Sequence, residues 1–483
     1  MTISQSLNEQ YLTYLPMWTK CRDAYNGQYA VHNAGIKYLP KLSSNESDDG
    51  YLFRLNMATF FGAMQRTVDA MVGTLFKNPM IEQVPDYIKD WYKSVTSAKK
   101  VTGIDFKQFA RDVTRELITV GRHGVLVDFP RIDTANMTQQ QFDDSGLSVY
   151  LKQYYTEDIL DWFEEDVGGV SKLVFVRLQE KYGVFNQETR NIENKERIRD
   201  LVLKDGVYHQ IITTDDSEET ITPKINGLEL NYIPFVFLNC NDNKPDIDKP
   251  MLIDMVDINF DHYRTNADYK YGMHFAALPT PYITGISKEQ LLENNSELCI
   301  GPRYFILVPE PEGKVGYLQP NAEVFKDYRE ELKVLEDRMA VLGARALITE
   351  RKQSETAEAI NLKSAGEQSV IGKLADTIAN GLTSILRIVD DWLPNENTKE
   401  IKLSFNKDFG LEGISSSALS ELLKGVQAGQ IPSIVYFQNL KRAGYVQEDM
   451  DYEKYVEETN SDDLAELDEI INNAKNKINV DKS

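Results

Sequence analysis

The chain has 483 residues, a formal net charge of −22, and 42% hydrophobic against 27% charged residues. This length favours roughly two to four domains, and this composition excludes an intrinsically disordered chain. Broad binding of nucleic acid depends on Lys and Arg, which displace counterions from phosphate, so the acidic charge argues against it. The same charge would suit a channel along which DNA slides, because like charges keep DNA off the wall.

Membrane insertion and secretion are not expected from this sequence. The longest apolar runs, such as residues 234–238, are far shorter than the roughly 20 residues that a membrane span requires. The first residues lack the pattern of a secretory signal, so we expect the protein to act where it is made. Three widely spaced cysteines, Cys21, Cys240 and Cys299, favour free and buried thiols in a reducing compartment.

The first half of the chain predicts helices followed by strands. Apolar residues at helical spacing predict one helix over 51–76 and another over 106–120, the second ended by Gly121. Short runs of β-branched and apolar residues predict buried strands at 125–129, 173–178, 197–203, 208–213 and 233–238. We therefore expect an α+β fold for residues 1–249.

The second half predicts two long helices that flank a β-rich piece. The first helix covers 251–277, about 40 Å, and strand-like runs follow at 304–308 and 315–318. The second helix follows the apolar stripe from Val324 to Leu342 and is expected to end at Gly343.

A third helix is predicted to be longer still. Ser354 is a favourable N-cap, and the apolar spacing continues to Trp392, which gives roughly 39 residues. A strand over 401–405 follows. The last predicted helices cover 418–428, 434–443 and 461–478.

No motif in the sequence supports catalysis or cofactor binding. Residues 366–374 resemble a phosphate loop, but five residues separate the glycines, no Ser or Thr follows Lys373, and the stretch lies within a predicted helix. Asp242, Asp246 and Asp248 could bind a divalent ion, although a solvated turn is the simpler interpretation. We predict no catalytic residue, no metal site and no cofactor, and hence that the chain is not an enzyme.

Residues 343–354, between two predicted long helices, allow two interpretations. In a ring of subunits this segment could project inward and bring Arg345, Arg351 and Lys352 to the phosphates of DNA. Alternatively, the segment is a solvated connector between helices. The residues alone leave both interpretations open.

A series of short motifs runs in order along residues 38–393. They are Tyr38-Leu39-Pro40, Tyr51, Arg54, Arg66-Thr67-Val68, Val72-Gly73, Phe76, Gly121-Arg122, Gly124-Val125-Leu126-Val127-Asp128, Pro130, Ile233-Pro234-Phe235, Asn259, His262-Tyr263, Ala267-Asp268-Tyr269, Pro279-Thr280-Pro281, Gly285, Ile300-Gly301-Pro302, Met339-Ala340, Leu342-Gly343-Ala344-Arg345 and Glu355-Thr356-Ala357. Together with the order of the predicted elements, they resemble the portal proteins of tailed bacteriophages. The resemblance is to a portal family long catalogued as a domain of unknown function.

This resemblance implies an α+β portal fold with named parts. They are a wing (1–249), a first stem helix (250–277), a β-rich clip (278–320), a second stem helix (321–342), a tunnel loop (343–354), a very long wing helix with a strand (355–410) and a helical crown with an acidic C-terminal tail (411–483).

The resemblance also implies three groups of functional residues. The tunnel loop would face DNA through Arg345, Thr349, Glu350, Arg351, Lys352 and Gln353. The stem helices would contribute Asn259, His262, Tyr263, Asp268, Lys270, Lys333, Glu336 and Arg338. The clip would dock the packaging motor and later an adaptor through Lys288, Glu289, Arg303, Glu310, Glu312 and Lys314.

The function that the resemblance implies belongs to an assembly of about twelve copies, because no single chain encloses DNA. This ring would sit at one capsid vertex of the virion, be made in the bacterial host cytoplasm, and serve packaging, retention and ejection of double-stranded DNA. Its expected partners are the chain itself, double-stranded DNA, the terminase large subunit, a head–tail adaptor or neck protein, and the major capsid or scaffolding protein, with no membrane.

Two alternatives remain. The chain could be a head–tail adaptor or neck protein, although two long helices around a β-rich piece disfavour this. It could also be a DNA-packaging enzyme, such as a nuclease-ATPase, which the missing phosphate loop disfavours.

Overall fold

In this computed structural model, the described residues are 7–98, 103–130, 147–225, 227–277, 280–284, 306–308, 314–318, 323–347, 357–393, 400–406, 422–426, 428, 430–442, 446 and 450–457. The chain divides into two compact units, Met1–Lys407 and Asp408–Ser483. The fold is mixed helix and sheet, since 49% of the described residues are helical and 24% lie in strands. This mixture agrees with the predicted α+β class.

The described part of the first unit contains nine α-helices. They are α1 (Glu9–Asn26), α2 (Gln28–Ala34), α3 (Asp48–Met57), α4 (Ala63–Leu75), α5 (Asp86–Trp91), α6 (Phe106–Val120), α7 (Ile253–Ala277), α8 (Val324–Leu347) and α9 (Ala357–Trp392). Three of them begin at a side chain that accepts a hydrogen bond from an otherwise unpaired backbone N–H, namely Asn8, Ser47 and Asp105.

The strands among the described residues of this unit form five small sheets. They are β1 (Ile81–Gln83), β2 (Arg122–Asp128), β3 (Tyr150–Tyr155), β4 (Ile159–Val167), β5 (Val170–Phe185), β6 (Ile192–Lys204), β7 (Val207–Thr213), β8 (Glu218–Ile221), β9 (Lys224–Ile225), β10 (Leu228–Glu229), β11 (Phe235–Asn239), β12 (Thr280–Thr284), β13 (Ile306–Val308), β14 (Val315–Leu318) and β15 (Lys402–Ser404). The strand orders are β11-β2-β3, β4-β5-β6-β7-β8, β13-β12-β14, β1-β15 and β9-β10. The predicted strands of both halves are confirmed.

The sheet β11-β2-β3 forms the centre of the first unit. All residues of β2 and β11 are buried, as expected of apolar runs covered on both faces. Gly121 ends α6 in the left-handed conformation, with φ of 91°, and its N–H bonds the carbonyl of Leu117. The prediction that Gly121 ends the helix over 106–120 is therefore confirmed.

The antiparallel sheet β4-β5-β6-β7-β8 packs against the central sheet through one face. Val176, Leu178 and Leu201 are buried on that face, together with a charged cluster around Glu180. Glu180 accepts hydrogen bonds from Lys152 and Tyr154 of β3 and from Arg199 of β6. This cluster ties the two sheets together.

The predicted single helix over 51–76 is wrong. The chain leaves the helical conformation at Ala58, so that α3 and α4 are separate helices. The break buries Phe60 against Tyr263 of α7, and Asn259 of α7 donates a hydrogen bond to the carbonyl of Phe61. Contacts with α7 thus replace helical hydrogen bonds that local periodicity alone predicted.

The three predicted long helices are confirmed, but the predicted end of the second is wrong. Helix α8 continues through Gly343 to Leu347. A Cβ at Gly343 would lie 3.0 Å from Thr67 Oγ1 and 3.6 Å from Met255 Sδ. Gly343 therefore permits close packing of α8 against α4 and α7, and the helix tolerates the cost of about 1 kcal/mol for an internal glycine. The segment predicted as a loop over 343–354 is helical over its first five residues.

The second unit contains α10 (Ser433–Arg442), which confirms the helix predicted over 434–443. Phe437 of α10 is buried, and its ring lies 5.5 Å from that of Tyr452 and 4.8 Å from that of Tyr455. Of the helix predicted over 418–428, residues 422–426 are helical. The helix predicted over 461–478 lies outside the described residues.

Candidate functional site

The long helices α7 and α8 form an antiparallel pair. Tyr269, in the second half of α7, lies 6.1 Å from Phe325 and 6.2 Å from Tyr328 at the beginning of α8, measured between ring centroids. His262, nearer the middle of α7, meets Glu336, nearer the middle of α8. A Cβ at Gly272 would lie 3.1 Å from the Phe325 ring, so this glycine brings the helices close together.

The apolar stripe of α8 faces its neighbours in the first unit. Leu332, Leu335 and Met339 are buried, at spacings of three and four residues, whereas Val334 and Val341 on another face are exposed. The spacing that predicted this helix therefore also predicted its buried side.

Two of the predicted stem residues are part of the core. Asn259 is fully buried and donates a hydrogen bond of 2.9 Å to the carbonyl of Phe61. Tyr263 is also fully buried, packs against Phe60, and has a pKa that burial raises to about 12. In this conformation both side chains position α7 on the break between α3 and α4, and neither reaches the surface.

His262 and Glu336 link the two helices directly. His262 Nε2 lies 3.3 Å from Glu336 Oε1, with the imidazole nearly buried and the carboxylate half-exposed. Burial lowers the pKa of His262, although the carboxylate acts in the opposite direction. The imidazole is therefore neutral at pH 7, and Nε2–H is the group placed to donate to Glu336.

Asp268 and Lys270 attach α7 to α3 and the residues after it. Asp268 lies 3.6 Å from the guanidinium of Arg54, which is buried and also pairs with Glu46 at 3.1 Å. Burial raises the pKa of Asp268, and Arg54 opposes this shift. Lys270 donates a hydrogen bond to the hydroxyl of Thr59.

The exposed surface of the α7–α8 pair carries charges of both signs. On α7 the exposed acidic residues are Asp254, Asp257 and Asp261, which pair with Lys249, Lys20 and Arg264. On α8 the exposed basic residues Lys326, Arg329, Lys333 and Arg338 are interleaved with exposed acidic residues, namely Asp327, Glu330, Glu331, Glu336 and Asp337.

Most of the predicted tunnel-loop and clip residues lie outside the described part of the chain. These are Thr349, Glu350, Arg351, Lys352, Gln353, Lys288, Glu289, Arg303, Glu310 and Glu312. Arg345 belongs to the last turn of α8, and its side chain is not among those described. Lys314 is exposed and directly precedes β14.

The cluster of Glu46 and Asp268 around the buried guanidinium of Arg54 was not predicted as a group from the sequence. Its members are 8 and 214 residues apart, and no local spacing connects residues on α7 with residues before and within α3. Charged residues ordinarily face solvent, so the charge at position 54 gave no sign of its burial.

Three further features of the described ranges concern metal sites, membrane spans and cysteines. There, no group of three or more His, Cys, Asp or Glu side chains could hold a metal ion. No helix of that part is both long and apolar enough to cross a bilayer. Cys21 and Cys240 are free and buried, as predicted, and burial raises the pKa of each to about 12, while Cys299 lies outside the described residues.

The α7–α8 pair, the strands between its helices and the whole of α9 coincide with one sequence family. A family described as a domain of unknown function (DUF4055) matches residues 251–393. A DUF4055 domain is found there. It thus begins two residues before α7 and ends one residue after α9. No curated protein matches the chain.

Proposed function

We propose that the chain is a portal protein of a tailed bacteriophage, whose copies form the ring through which double-stranded DNA enters and leaves the capsid. The observation that carries the proposal is the order of elements in the DUF4055 domain. Two long antiparallel helices, α7 and α8, flank a three-stranded β piece, and a 36-residue helix, α9, follows them. This order supports the assignment of α7 and α8 as stem, β12–β14 as clip and α9 as the long wing helix.

The net charge of the chain fits a channel built from several copies. A single chain encloses no channel, so the function requires several copies around an axis. Twelve copies at −22 each would give a formal charge of −264, which would keep DNA from adhering along the tube. The basic residues of α8 and of the predicted tunnel loop would then supply the few phosphate contacts.

Electron microscopy of negatively stained, purified protein tests the proposal. The expected images show rings with an axial hole and about twelve subunits. A monomer at micromolar concentration that hydrolyses ATP would contradict the proposal and favour a packaging enzyme. Small oligomers without an axial hole would favour the head–tail adaptor.

A further inference from the structure

A short segment between β11 and α7, residues 239–250, is braced by its own side chains. The buried amide of Asn239 donates hydrogen bonds to the carbonyls of Lys244, at 2.6 Å, and Asp246, at 2.8 Å. The backbone N–H of Asn241 donates to the carboxylate of Asp248 at 2.9 Å. These bonds close the segment on itself, so that it resists local deformation. We call residues 239–250 the joint segment.

Helix α9 holds the joint segment from one side. Asn243 donates to the carbonyl of Thr377 at 2.9 Å. The hydroxyl of Thr377 shares its one proton between the carbonyl of Lys373 on α9, at 3.0 Å, and the carbonyl of Asn241, at 3.3 Å. One turn earlier, Lys373 donates to the side-chain oxygen of Asn241 at 3.3 Å. One turn later, a Cβ at Gly381 would lie 2.1 Å from Leu238 Cδ2, so the close approach requires glycine. Positions 373, 377 and 381 form one face of α9.

The central sheet and α1 hold the joint segment from other sides. Arg122 of β2 donates to the carbonyl of Pro245 at 2.7 Å, and its guanidinium lies 3.9 Å from the ring centroid of Trp162. Gln10 of α1 donates to the carboxylate of Asp246 and accepts from the N–H of Ile247, both at 3.2 Å. These contacts restrict motion of the joint segment relative to the elements that surround it.

We infer that the joint segment couples α9 to α7, so that a shift of α9 displaces the first turns of α7. Helix α7 begins at Ile253, only three residues after the segment ends, and the connection includes Pro250, whose φ is fixed by its ring. Because its internal hydrogen bonds hold its shape and α9 contacts it at three successive turns, the segment should move with α9 as a unit.

Part of this inference rests on the proposed function. If the chain is a portal, α9 directly follows the segment predicted to touch DNA, and α7 is the first stem helix. The joint segment would then make the stem respond to the position of DNA in the channel.

Hydrogen–deuterium exchange on the purified full chain tests the coupling. The test variant is Asn243→Ala with Thr377→Val, which removes the hydrogen bonds of both side chains to their partners across the contact between α9 and the joint segment. We expect amide exchange in peptides covering residues 253–263 to accelerate by about fivefold, since a lost hydrogen bond shifts local opening by this order.

Thr383→Val is the matched control. Thr383 also lies on α9 and bonds a carbonyl one turn earlier, that of Ala379 at 2.7 Å, but its second contact is the N–H of Leu403, not the joint segment. This variant should accelerate exchange around residues 402–404 and leave 253–263 unchanged. If both variants change α7 equally, or if the test variant changes only α9, the coupling is contradicted.

Loosening the joint segment at its anchor on the central sheet should also affect α9. Arg122→Met removes the bond to Pro245 and replaces the guanidinium with an apolar chain, and it should accelerate exchange over 373–382 of α9. Unchanged exchange there would overturn the inference. If the double variant fails to fold, as shown by circular dichroism, the single variant Asn243→Ser is the replacement, with the same expectation for α7.

This experiment separates the inference from the proposed function. Rings whose α7 and α9 exchange independently would remove the coupling and leave the portal proposal standing. A chain that forms no ring but shows the coupled exchange would remove the portal proposal and leave the coupling standing.

Discussion

The sheets of the first unit and the α7–α8 pair use charged residues in opposite ways. Between the sheets, Glu180 is buried and lies within 2.7 Å of donors on Lys152, Tyr154, Arg197 and Arg199. On the helix pair, the basic side chains from Lys326 to Arg338 are exposed. The difference indicates that the charges around Glu180 hold the subunit together, whereas these basic side chains of α8 are accessible to another molecule.

Removing the charge at Glu180 should produce the largest loss of stability. Glu180→Gln leaves the buried guanidinium of Arg199 without its closest carboxylate, and breaking a buried ion pair costs about 3–5 kcal/mol. Urea unfolding would measure this loss. Glu196→Gln is the control on the same sheet, because Glu196 is exposed and lies 3.8 Å from Lys181, and the expected change is below about 1 kcal/mol. Equal losses in both variants would contradict the role assigned to burial.

Substitutions on the buried and exposed faces of α8 should differ almost as much in their effect on the free energy of unfolding. Leu335→Ala removes a side chain that is 4% exposed and should lower the free energy of unfolding by about 2–5 kcal/mol. Leu332→Ala should act similarly. Val334→Ala, at a side chain that is 40% exposed, should change the free energy by about 0.5 kcal/mol or less. Similar losses at 334 and 335 would show that the assigned buried face is wrong.

Lowering the pH should reduce the stability that Glu180 contributes. This loss should be smaller than those from the substitutions above. Burial alone would raise the pKa of Glu180, but Arg199 and Lys152 outweigh it and hold the pKa well below its usual value of 4.5. A depressed carboxylate pKa contributes stability that is complete above the unfolded value and is lost as pH falls below it. The wild-type chain should therefore lose stability between about pH 5 and pH 3, and Glu180→Gln should lose less. Thermal melts across this range would compare them.

The smallest effect on stability is expected in the predicted tunnel loop. Arg351→Glu with Lys352→Glu should leave ring assembly and thermal stability unchanged, because neither charge is assigned to the core. In a packaging assay the same variant should retain less DNA per capsid, since both phosphate contacts become repulsive. Normal DNA content would remove these residues from the mechanism.

Local patterns predicted elements whose ends are set by local chemistry. Helix α6 ends at Gly121 as predicted, because a left-handed glycine terminates a helix in its own sequence context. The break between α3 and α4 was missed because its cause is distant, namely the bond between Asn259 and Phe61. Gly343 was misinterpreted for the same reason, since Thr67 and Met255 decide its packing.

The candidate site was predictable to a similar extent. The residues predicted as stem residues lie on the two predicted helices, but periodicity did not show that Asn259 and Tyr263 are fully buried or that His262 meets Glu336 across the pair. The joint segment was interpreted as a solvated turn from Asp242, Asp246 and Asp248. The bonds of Arg122 and Asn243 that anchor it to the central sheet and to α9 join residues more than 100 positions apart, and no sequence spacing reveals them.

Native mass spectrometry of the purified chain tests the central claim most directly, because the proposed channel exists only in the assembly. A closed ring of twelve copies of the 55.2 kDa chain would give one dominant species near about 660 kDa. A dominant species at 55.2 kDa, retained at micromolar concentration, would contradict the account.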